Sequence, residues 1–145
     1  MYLDDISPNL HFRTESVRIN YDKMVAFAKD YDPIRIHTDP EYAKTTRYGK
    51  LIAPGVMTFM SIWSKVLETD IFGDELIAGK STHIEWKKPV FADDVLWGDV
   101  RVTRIERRNP YNGICETTMD IYNQNGEIVL SNVTESVVKY RTESN

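Results

Sequence analysis

The chain has 145 residues, enough for one domain with a real core, and 41% hydrophobic with 28% charged residues is the composition of a globular protein. The formal net charge is −4, from 22 acidic and 18 basic residues, which excludes the cationic excess on which a general nucleic-acid binder relies. A single cysteine, Cys115, excludes an internal disulfide and points to a reducing compartment.

Residues 1–5 lack the basic start and apolar run of a signal peptide. No apolar run approaches the roughly 20 residues that span a bilayer, so a cytoplasmic protein is expected. There is no internal repeat and no linker, and residues 1–145 read as a single domain.

Residues 1–10 form an irregular lead-in broken by Pro8 and Asn9. Residues 11–19 carry β-branched Thr14, Val17 and Ile19 and predict a first strand. The period changes at Asn20, a helix N-cap candidate, because Tyr21, Met24, Val25 and Ala28 follow at helical spacing. Pro33 disfavours helical geometry at Asp32, so this helix ends near Tyr31. Asp39 is a second N-cap candidate, with Pro40 at the first helical position and Glu41 in the first turn. The short helix that follows ends before Gly49.

Pro54-Gly55 opens the third and longest helix, through about Glu68. Its surface is largely apolar, with Thr58, Ser61, Lys65 and Glu68 as a narrow polar stripe, the pattern of a buried central helix roughly 20 Å long. After Gly73 the chain reads as strands at 80–88, 95–107, 114–122 and 127–140. Asp93-Asp94 and residues 109–113 form turns between them, and Asn125-Gly126 gives a two-residue hairpin. Residues 143–145 are expected to fray. Strand, helices, then a run of antiparallel strands is an α+β arrangement. A long apolar helix against such a sheet suggests a hot-dog fold, in which the sheet wraps around the helix; other α+β sandwiches share the pattern.

Asp32 and His37 are the first candidates for chemistry. Hydration of an activated alkene needs a base for water and an acid for carbon, and a carboxylate with an imidazole can share that work on one water. Asp32 stands at a helix C-terminus, where the dipole disfavours its charge. An Asp-Pro turn followed by a satisfied loop histidine explains the same spacing, and the residues alone leave both readings open. Gly55 permits close backbone approach, and free N–H groups at a helix start can hold developing negative charge. A plain helix-opening turn is the other reading.

His11 and His83 fall in strand-like segments as surface or packing residues. Cys115, mid-strand, reads as a buried thiol. Arg47, Lys50, Lys87 and Lys88 could meet ligand phosphates or be solvated surface charge. No residue cluster has zinc-ligand spacing, and no glycine-rich nucleotide motif is present, so neither metal nor separate cofactor is expected.

Taken together, Phe27-Ala28, Tyr31-Asp32-Pro33-Ile34-Arg35-Ile36-His37-Thr38-Asp39, Tyr42-Ala43, Thr46 and Leu51-Ile52-Ala53-Pro54-Gly55 resemble the hydratase motif of MaoC-like proteins, the (R)-specific enoyl-CoA hydratases and related dehydratases of the hot-dog superfamily. Trp86-Lys87-Lys88-Pro89-Val90-Phe91-Ala92-Asp93-Asp94 is similar to that family's strand ending in a proline and an acidic turn. The resemblance covers about residues 17–140.

It implies that Asp32 and His37 activate a water that adds to an enoyl thioester, while the Gly55 N–H polarises the thioester carbonyl. It implies coenzyme A, or acyl carrier protein, as part of the substrate, a homodimer with the site near the subunit interface, and no membrane or nucleic-acid partner. Two departures bear on the substrate. Ile34 and Arg35 stand where the family has an amide followed by proline, and Trp63 falls near a position that often carries a small hydroxyl residue. A thioesterase of the same fold is one alternative; a non-catalytic acyl-thioester-binding subunit, which Ile34 and Trp63 favour, is another.

Overall fold

The structure, a computed structural model, describes residues 1–142. Residues 143–145, expected to fray, lie outside the described residues. The chain runs through β1 (His11–Arg13), β2 (Val17–Arg18), α1 (Tyr21–Tyr31), α2 (Arg35–Thr38), α3 (Pro40–Lys44), α4 (Gly55–Leu67), β3 (Leu76–Trp86), β4 (Val95–Arg107), β5 (Asn112–Tyr122) and β6 (Ile128–Lys139). The sheet is antiparallel throughout, in the order β1-β4-β5-β6-β3, with β2 also on β4. This is the expected α+β layout, with one long helix against one antiparallel sheet.

The expected strand at 11–19 is two short pieces. Between them the Thr14 hydroxyl accepts from Gly98 N at 2.8 Å while Thr14 N donates to Gly98 O at 2.9 Å, so a side chain replaces one backbone partner. Asn20 caps α1, its side chain accepting from Lys23 N at 3.0 Å. Asp39 caps α3 through bonds from Glu41 N and Tyr42 N. The single-turn helix α2 was not anticipated, because four residues are too few to show a period. The Asn125-Gly126 turn is also wider than expected. Among the described non-glycine residues only Asp93 has positive φ, so of this pair only Gly126 does, and Asn123 closes the loop with Glu127.

Leu96, Gly98, Val100 and Val102 alternate inward on β4, and Met119 and Ile121 do so on β5. They meet Phe59, Ile62 and Val66 of α4 in the core. At Gly98 a Cβ would lie 2.8 Å from Ile62 Cγ2 and 3.0 Å from Met119 Sδ, so glycine lets helix and strand approach. Cys115 is wholly buried, and burial first, with the neighbouring Glu116 charge, pushes its thiol up to about 12. The polar stripe expected on α4 is corrected at Thr58, which is buried, while Val56, Met60 and Leu67 are exposed. The sheet covers one side of α4, and its other side is apolar and uncovered.

Gly98→Val should overpack the contact with Ile62 and cost about 1–3 kcal/mol. Urea unfolding monitored by circular dichroism checks this, and an unchanged midpoint would contradict the close approach.

Candidate active site

Asp32 sits one residue beyond α1, where Pro33 stops the helix; its own N–H still donates to Ala28 O at 2.8 Å. The chain turns at Ile34, whose N–H donates to Asp32 O, and α2 then carries His37. His37 is buried, and its Nδ1 lies 2.7 Å from the Ile52 carbonyl oxygen. A carbonyl can only accept, so this bond assigns the hydrogen to Nδ1 and turns Nε2 outward. Nε2 is 3.2 Å from Asp32 Oδ2.

The segment that receives His37 is itself pinned. Ile52 N donates to Ile36 O at 3.2 Å, and Ala53 N donates to Val90 O at 2.7 Å. It ends at Pro54, after which α4 begins with Gly55. The first intrahelical bond is Thr58 N to Pro54 O at 3.1 Å, so the N–H groups of Gly55, Val56 and Met57 have no acceptor inside the helix.

Asp32, His37 and Gly55 line one cleft of about 450 Å³. Ile36, Ile52, Val56 and Val90 supply apolar wall, and buried Thr58 a hydroxyl-bearing one. Arg47, Lys87 and Lys88 also line it, and all three are exposed. Lys87 bonds to Glu85 and holds that carboxyl below its usual range, with His83 assisting; Lys88, pairing with Glu127, does the same there, with Asn123 assisting.

The other candidates lie elsewhere. His11 pairs with Asp99, and His83 bonds to Glu85 on the surface. Lys50 lies over the Phe91 ring. Arg35 stacks on Tyr42 at 4.0 Å and pairs with Asp39 at 3.6 Å, which clips α2 to α3. Trp63 stacks on Phe59 and lines a separate hollow of about 420 Å³, whose far wall carries Thr82, Thr134 and Ser136. The hydroxyl residue of α4 that lines the cleft with Asp32 and His37 is therefore Thr58, which the pattern had placed on a polar stripe.

Trp86, read within the strand at 80–88 and at the head of the family-like segment, was given no role at the site. A Cβ added to Gly55 would collide with the nitrogen-bearing edge of its indole. The indole edge fills the space that a side chain at this position would enter. Gly55→Ala should destabilise the protein by about 1–3 kcal/mol. The same change in a Trp86→Ala background should cost little, and a thermal-melt double-mutant cycle with additive effects would refute the contact.

Residues 6–124 match the family described as MaoC like domain. An uncharacterized protein of Bacillus subtilis (strain 168), YdeM, is 32% identical over 125 residues, 86% of this chain and 89% of that one. The (R)-specific enoyl-CoA hydratase of Aeromonas caviae is 31% identical over 115 residues, 79% of this chain and 78% of that protein. The crystal structure of a MaoC-like dehydratase from Rhodospirillum rubrum superposes with a TM-score of 0.88 at 26% identity, covering 99% of both chains. The antiparallel sheet around α4 is accordingly the hot-dog fold.

Proposed function

The chain belongs to the family of MaoC-like domains, and on that premise we propose that it is a hydratase or dehydratase acting on an enoyl- or 3-hydroxyacyl thioester, with coenzyme A as the carrier. The observation that carries the reading is the bonding of His37. Its Nδ1 is committed to the Ile52 carbonyl, and its Nε2 faces the Asp32 carboxylate at 3.2 Å. The relationship to the Aeromonas hydratase supports the reaction class.

The reaction requires a proton on Nε2 at the outset and an ionised Asp32. In hydration Asp32 takes a proton from water as the water oxygen adds to C3 of the enoyl group. Nε2–H delivers its proton to C2. Negative charge gathering on the thioester oxygen is held by the Gly55 N–H, one of the unpaired donors at the start of α4. The proton on Asp32 then crosses to Nε2 and the pair is restored. Dehydration runs the same steps in reverse. Ile36, Ile52, Val56 and Val90 give the acyl group an apolar wall. No dissociable cofactor is invoked, since coenzyme A enters as part of the substrate.

The working form is a homodimer. β3 ends the sheet, and among the described residues no further strand pairs with its outer edge. Such an edge invites another strand. Ile77 is 48% and Trp86 54% exposed on it, and Val56 and Met60 of neighbouring α4 are 49% and 46% exposed. A second copy pairing along β3 covers both sets.

Asp32→Asn and His37→Ala should each lower kcat for crotonyl-CoA hydration by about 10²–10⁴-fold, with circular dichroism unchanged. The decisive readout is loss of enoyl absorbance; release of free thiol instead would identify a thioesterase, and near-native turnover in both variants would end the assignment. Sedimentation velocity at micromolar concentration should give a dimer, and Ile77→Lys should shift it towards monomer. A monomeric native protein would rule out the β3 pairing.

A further inference from the structure

We propose that Arg47 is a specificity residue of this cleft, and that its guanidinium binds a phosphate of the pantetheine-bearing carrier. The inference rests on the thioester reading for the identity of that carrier.

The cleft has a buried floor and an exposed mouth. His37 and Thr58 lie at the floor, while Arg47, Lys87 and Lys88 are exposed. Its volume, about 450 Å³, is in the lower part of the roughly 300–1,000 Å³ range that encloses drug-sized ligands. An acyl group and pantetheine arm can occupy it. A nucleotide or a carrier protein beyond that arm stays outside, so phosphate emerges at the mouth. Three cations stand there, and Asp32 is the one carboxylate lining the cleft. In a chain of net charge −4 this local excess runs against the global field.

Among the three, Arg47 is the one left for a ligand. Lys87 is bonded to Glu85, and Lys88 to Glu127. Arg47 has no carboxylate partner within 4.0 Å among the described residues; its one polar contact is with the Tyr48 hydroxyl, to which it donates at 3.1 Å. That single bond leaves most of the guanidinium donors free, and a planar fork of N–H groups matches phosphate oxygens in pairs.

The backbone that presents Arg47 is already ordered. Thr46 Oγ1 donates to Ala43 O at 2.7 Å and accepts from Tyr48 N at 3.3 Å, and Gly49 N donates to Thr46 O at 3.1 Å with Gly49 at φ +73°. Binding then orders only the side chain.

The test is calorimetric titration of the native protein, Arg47→Gln and Arg47→Lys with coenzyme A, 4′-phosphopantetheine and pantetheine. Arg47→Gln should reduce the preference for coenzyme A over pantetheine at least tenfold, with Arg47→Lys intermediate. A parallel loss for 4′-phosphopantetheine identifies the phosphate next to the pantetheine, common to coenzyme A and carrier protein. A loss confined to coenzyme A identifies its nucleotide phosphates. An unchanged preference overturns the proposal. Because titration needs no turnover, a protein that binds coenzyme A through Arg47 but hydrates nothing would refute the hydratase reading alone; one that hydrates crotonyl-CoA with an unaltered preference in Arg47→Gln would refute this inference alone.

Discussion

The hydrogen bond from His37 Nδ1 to the Ile52 carbonyl, 2.7 Å long, is the contact on which the cleft depends. It joins two stretches that are fifteen residues apart and have no regular pairing of their own. With Ile52 N bonded to Ile36 O, it fastens α2 to the strand-like segment leading into α4. Without it the imidazole would lose its only side-chain hydrogen bond among the described residues, and the two segments would be joined by the Ile52–Ile36 backbone bond alone. The same bond sets the tautomer, so a structural clip also determines which ring nitrogen faces Asp32.

Around this clip the fold supplies two further constraints. Ala53 is held to Val90 in the connection between β3 and β4, which anchors the segment to the sheet. Trp86 packs its indole edge against Gly55 and fixes the wall beside the free N–H groups of α4. The Asp32 and His37 side chains, the helix start and the basic mouth therefore come from four separate parts of the chain: the end of α1 with α2, the turn after α3, the start of α4 and the end of β3. Arg47 is presented by a turn bonded among its own sequence neighbours, whereas Ile52 and Ala53, which lead into α4, are held by Ile36 and Val90 from elsewhere in the chain. The two unusual residues of the loop act outside the cleft. Arg35 clips α2 to α3, and Ile34 is half exposed, so neither narrows the space around Asp32 and His37.

Much of the architecture was legible because it rests on local chemistry. Asn20 and Asp39 had the side chains and following residues of helix caps, and Pro33 and Pro54 marked boundaries that proline geometry imposes. Strand β4 alternates inward from Leu96 to Val102, where a shift in register against β5 ends the pattern. Readings that failed depended on what lay opposite. Thr58 was assigned to a polar stripe because helical period gives a face, not the partner of that face. The first strand broke at Thr14 because its hydroxyl found Gly98, a contact across 84 positions.

The sequence by itself determined the element types, the apolar central helix, the absence of an internal disulfide and the resemblance that points to thioester chemistry. These follow from composition, period and short-range steric rules. It also singled out Asp32, His37 and Gly55, but could not say whether they meet. Tertiary structure alone brought the three to one cleft, aimed Nε2 of His37 at Asp32, set Trp86 against Gly55 and left Arg47 without a carboxylate while its lysine neighbours acquired one. Those outcomes are distances between residues far apart in the chain, and only the packed sheet and helix decide such distances.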